Sequence, residues 1–152
     1  MDTCISTIIE SRKLFRQLIE GLTIEEINKV PEGFNNNIIW NFGHVIVSQQ
    51  ILCYKLAALP LKIDPSYLLK YSKGTMPETF FDEAELEFLK TQSVLLIEHL
   101  IEDMNANLFN NYTPYTTSFN VSLTSVDDAV KFLTMHEGLH LGYAMAIKRA
   151  IK

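Results

Sequence analysis

Apolar residues recur at three- and four-residue spacing through four long stretches of the chain, the pattern of helices that each turn one face to a core. The first runs from Ile5 to Gly21, with Ile8, Ile9, Leu14, Phe15, Leu18 and Ile19 on its apolar face and Gly21 suited to a C-terminal cap. The second, about Asn37 to Leu59, is apolar on most of its circumference, so it should be buried on more than one side. The third, about Asp82 to Ala106, carries Leu86, Leu89, Ser93, Leu96, Ile97, Leu100 and Met104 inward. The last runs from Thr124 to Lys152. Its stripe reads Val126, Ala129, Val130, Leu133, His136, His140, Tyr143, Ala144 and Ile147.

The segments between them carry start and stop signals. Thr23 with Glu26 forms a capping-box pattern for a short helical turn through Lys29, and Pro31-Glu32-Gly33 then breaks the chain. Asn35, Asn36 and Asn37 offer caps for the second helix, while Ser125 with Asp128, or Thr124 with Asp127, starts the last. Leu61 to Phe80 holds Pro65, Gly74 and Pro77 and reads as a long crossover with a turn of helix at Ser66 to Tyr71. Irregular stretches this long are usually functional. Asn105 to Leu123 is a second one; strand-like residues occur at Phe119-Asn120-Val121, but nothing alternates long enough to make a sheet. The pattern predicts an all-α four-helix bundle with a long crossover after the second helix, plus short extra helical turns, in one domain over residues 1–152.

Composition narrows the function. Hydrophobic residues make up 47% and charged residues 20%, as in a globular chain with a substantial core. The net charge of −5 and the absence of a Lys/Arg cluster argue against nucleic acid. Cys4 and Cys53 lie far apart without CxxC spacing, which points to two ordinary thiols in a reducing compartment. No basic leader with an apolar run opens the sequence, and no apolar run is long enough to span a membrane. A cytoplasmic protein without membrane contact is expected.

Candidate chemistry sits in the histidines. His136 and His140 are four apart on a core-facing stripe, so their imidazoles lie one turn from each other. Buried unpaired polar groups cost about 1–3 kcal/mol each, and one metal ion can satisfy both rings. His44, in the buried second helix, is the third candidate ligand. A lone mid-helix histidine is more often a core residue bonded to a carbonyl; three such residues together favour a metal. Three imidazoles with an open position suit catalytic zinc, and nickel or iron accepts the same donors. His99, beside Glu98 and Glu102 and away from the stripe, reads as a solvated or ion-paired residue. His136-Glu137-Gly138-Leu139-His140 also matches the zinc-protease pattern H-E-x-x-H. No His, Asp or Glu follows in Leu141 to Lys152 to serve as a downstream ligand, so that reading is disfavoured. Whether Glu137 touches the site, backs a ligand or faces solvent stays open.

Asn37-Ile38-Ile39-Trp40-Asn41-Phe42-Gly43-His44, followed by His136-Glu137-Gly138-Leu139-His140-Leu141-Gly142, resembles the DinB-like (YfiT-like) superfamily of metal-binding four-helix proteins. Helix order and the long crossover extend the resemblance over essentially the whole chain. Lys73-Gly74-Thr75-Met76-Pro77 and Thr117-Ser118 look like recurring loop elements of a bacterial subgroup. The resemblance implies a divalent ion held by His44, His136 and His140, and a homodimer. It also implies a metal-dependent enzyme acting on a small-molecule substrate, a transferase using a low-molecular-weight thiol such as bacillithiol or mycothiol. An ion that instead lowered the pKa of a bound water would give a hydrolase. The competing expectation is a non-catalytic protein whose ion only joins helices. Asn37, Asn41, Gln49, Gln50 and Tyr143 are the polar residues placed to support a ligand, with Asn41 nearest to His44.

Overall fold

Short polar side chains set the starts of three of the long helices. The computed structural model describes residues 3–152. Helix α1 spans Thr3–Glu20, α2 Ile24–Asn28, α3 Ile38–Gln49, α4 Ser66–Tyr71, α5 Glu83–Asn105 and α6 Val126–Ala150. Asn37, Asp82 and Ser125 cap α3, α5 and α6, each accepting from the N–H three residues on. The predicted Thr23/Glu26 capping box closes α2. α6 packs against α1 and α3, α5 against the same two, and α4 lies against α3. This is the predicted all-α bundle, with the crossover after its second long helix. Among the described residues no helix is long and apolar enough to cross a membrane.

Three local features differ from the sequence reading. The second long helix does not stay α-helical to Leu59: Gln50–Lys55 is a π-helix, closed by the Leu56 N–H on the Ile51 carbonyl at 3.2 Å, and Ala58 then turns left-handed at φ 56°. A small antiparallel ribbon, β1 (Tyr115–Thr116) with β2 (Ser122–Leu123), forms where no sheet was expected. Two residues per strand are too few for alternation to show. The strand-like Phe119 to Val121 is its connection, with Asn120 left-handed at φ 59°. α1 stops at Glu20 as Gly21 suggested, but Gly21 is not among the left-handed residues.

The helices share a polar belt. One apolar cluster gathers Phe15, Leu18, Ile19, Phe42, Leu89, Ala144 and Ile147; a second gathers Ile5, Ile8, Leu52, Cys53, Leu100, Val130 and Leu133. Between these stretches each long helix contributes buried polar groups: Ser11 and Arg12 on α1, His44, Ser48 and Gln49 on α3, Ser93 on α5, His136 and Glu137 on α6. Most buried polar groups are hydrogen-bonded or charge-paired, because an unpaired one costs free energy. Arg12 and Glu137 meet this condition in a forked pair, with Nε to Oε1 at 3.0 Å and Nη2 to Oε1 at 2.8 Å, while Nη1 donates to the Ser93 carbonyl at 3.3 Å.

Candidate metal centre

α3 and α6 lie side by side, which brings His44 level with the turn of α6 that carries His136 and His140. One ligand atom from each histidine falls within 4.8 Å of the others. The ring centroids are 4.5 Å apart for His44–His140, 4.6 Å for His136–His140 and 5.1 Å for His44–His136.

The rings are oriented from behind. His44 Nδ1 donates to the Tyr71 carbonyl at 2.6 Å, which assigns the lone pair to Nε2. That backbone oxygen is within reach because Gly43 has no side chain: a Cβ there would run into the Tyr71 ring. Trp40 stacks on His44 with centroids 4.7 Å apart and planes 11° from parallel. His140 Nδ1 sits 2.8 Å from Asn41 Oδ1. Asn41 Nδ2 donates to Asn36 Oδ1 at 2.7 Å and to the Asn37 carbonyl at 2.8 Å, so the oxygen of the amide must face the histidine. His140 Nδ1 therefore carries the proton and Nε2 the lone pair. His136 Nδ1 is buried with no hydrogen-bond partner among the described residues.

Electrostatics favour three neutral rings. Burial, then the neighbouring His44, lowers His136 to about 3. Burial, then His44 and His136, lowers His140 to about 3. Burial also lowers His44, with the Tyr71 carbonyl acting against it. Protonation is disfavoured at all three, leaving neutral donors of the kind a divalent ion takes. The set fits a transition metal.

The rings open onto a cavity of about 360 Å³. Trp40, Leu52, Leu56, Phe132 and Leu139 give it apolar walls, with Ile51, Leu52 and Leu56 coming from the π-helical end of α3. Both irregular segments of the chain reach it, the crossover through Lys73 and Gly74, the ribbon through Tyr115, Thr117, Ser118 and Phe119. A model of the DinB superfamily matches residues 7–144, a span that includes the three histidines and both pocket loops. The chain belongs to the DinB superfamily. No curated protein matches it.

In this DinB-superfamily bundle the other singled-out residues take varied places. Asn41 touches the site as a brace for His140, while Asn37 caps α3. Gln49 donates to the Leu96 carbonyl and Gln50 accepts from Lys62, so neither reaches the pocket. Tyr143, expected inward, is 37% exposed and meets Phe34 edge-on. The stripe of α6 is rotated slightly from the predicted one, burying Phe132 and Glu137 instead. Glu137 faces Arg12, away from the histidines' cavity, so the protease reading loses its base. His99 is half-buried; among the described residues it joins no ion pair and its buried Nδ1 has no hydrogen-bond partner. Cys53 is an inert thiol; burial pushes it up to about 12. Sequence reasoning missed Arg12 and the Tyr71 carbonyl, since neither bears a spacing relation to the ligands.

Proposed function

We propose that this DinB-superfamily protein holds one divalent transition-metal ion on His44, His136 and His140 and uses it in a thiol-dependent transfer to a small molecule in the adjoining cavity. The observation that carries this reading is the convergence of three neutral imidazoles, two with assigned Nε2 lone pairs, at the wall of a cavity rather than inside sealed protein. A bound ion would supply a Lewis acid able to favour the thiolate of a thiol beside it. Tyr71 and Asn41 hold two rings at fixed tautomer, and the apolar walls limit water. Hydrolysis is the less supported branch: among the described residues no carboxylate lines the cavity to take a proton from water, and Glu137 is held by Arg12. Zinc, nickel and iron all remain candidates. The homodimer is a proposal of the same kind, supported by exposed Leu14 and Met145 along a groove between α1 and α6. Sedimentation of the full chain tests it.

The metal reading is tested by elemental analysis of untagged protein prepared without chelator, beside His44→Ala and His140→Ala. About one equivalent of a transition metal is expected in the native chain and a loss in both variants. A native chain that neither carries nor takes up zinc, nickel or iron makes the histidines core polar groups, and the enzyme reading falls with them. A loaded protein that binds no thiol and turns over no electrophile leaves the ion as a helix staple.

A further inference from the structure

The chain carries a net charge of −5, yet the cavity shows the opposite balance. Among the described residues that line it, Lys73 is the one with a charged side chain, and no Asp or Glu is among them. Nor does Lys73 take part in any of the ion pairs among the described residues. Its place at the rim is built. Gly74 turns the loop at φ 90°, and the Thr75 N–H closes it on the Ser72 carbonyl at 3.1 Å. Thr75 Oγ1 lies 2.8 Å from the Lys70 carbonyl and accepts from Trp40 Nε1 at 3.0 Å. The indole that stacks on His44 thus also anchors the turn presenting Lys73.

We infer that the cavity selects small molecules with an apolar body and an anionic group, and that Lys73 is the residue that reads the anion. The inference rests on the cavity being the substrate site. The walls of Trp40, Leu52, Phe119, Phe132 and Leu139 suit an aromatic or branched aliphatic body. An unpaired cation at the edge of a low-dielectric cleft attracts an anion more than it would on open surface.

Trp40 is the only tryptophan of the chain and lines the cavity, so its fluorescence reports occupancy without any metal. The probes are phenylbutyrate and its uncharged isostere phenylbutyramide, titrated at low salt with chelator into the native chain, Lys73→Met and Lys73→Glu. The native chain should bind the carboxylate roughly threefold or more tighter than the amide, the scale of one exposed ion pair. Lys73→Met should level the two, Lys73→Glu should reverse the order, and added salt should erode the native preference. Equal binding by the native chain, a preference that survives in Lys73→Met, or no response to either probe overturns the inference. Because the titration is metal-free, failure of the chain to take up metal overturns the metal reading alone.

Discussion

At the scale of residues, Asn41 decides which nitrogen of His140 faces the cavity. Its amide is pinned on two sides, so its oxygen can only accept. Asn41→Leu keeps the histidine but releases the ring. Metal affinity should then fall about 10- to 100-fold, read by competition with a coloured chelator. Gly43 acts through space instead: in Gly43→Ala the new methyl displaces the Tyr71 ring. The expected cost is about 1–3 kcal/mol in urea unfolding, with weaker metal binding because the carbonyl behind His44 moves too. The His136/His140 pair, and Asn41 beside His44, were legible because helical spacing puts each pair one turn apart; His44 joined them only on the condition that α3 and α6 face each other, as they do. The Tyr71 brace was not legible, since a backbone carbonyl has no sequence signature. Glu137 could not be assigned either; its partner Arg12 lies 125 positions away.

Among the elements, α6 works on two sides at once. One side gives His136 and His140 to the cavity, and the adjacent side gives Glu137 to Arg12 of α1. Burial pushes the Glu137 carboxyl up, and Arg12 pulls it back toward the charged form. Removing one partner strands a charge in the core, so Arg12→Met or Glu137→Leu should each cost about 3–5 kcal/mol of stability. The double variant should recover most of that loss, because neither charge then remains. A denaturant double-mutant cycle reads both statements. Caps and apolar stripes made the long helices legible to within a few residues. The π-helical end of α3 and the ribbon at Tyr115 to Leu123 were hidden for separate reasons. A π turn changes hydrogen bonding without changing composition, and the ribbon's strands are no longer than one period of alternation.

For the whole molecule, the histidines tie folding to pH. In an unfolded chain they titrate near 6.5, while in the fold His136 and His140 are held down to about 3 and His44 is also lowered. Above the unfolded value both states are neutral there, and nothing is lost. As pH falls below about 6.5 the unfolded chain takes up protons that the fold refuses, so metal-free stability declines down to the folded values. Urea unfolding between about pH 7 and about pH 5 with chelator should show that decline, and His140→Leu should lessen it. The polar belt bears on a different question, that of alignment. Apolar stripes repeat every turn, so greasy faces alone would let a helix slide lengthwise by about 5.4 Å and still find contacts. Such a slip of α6 would set Leu133 or Leu141 against Arg12 and leave two opposite charges marooned in hydrocarbon. The belt thereby singles out one vertical setting of the four helices, and that setting is also the one in which three imidazoles meet.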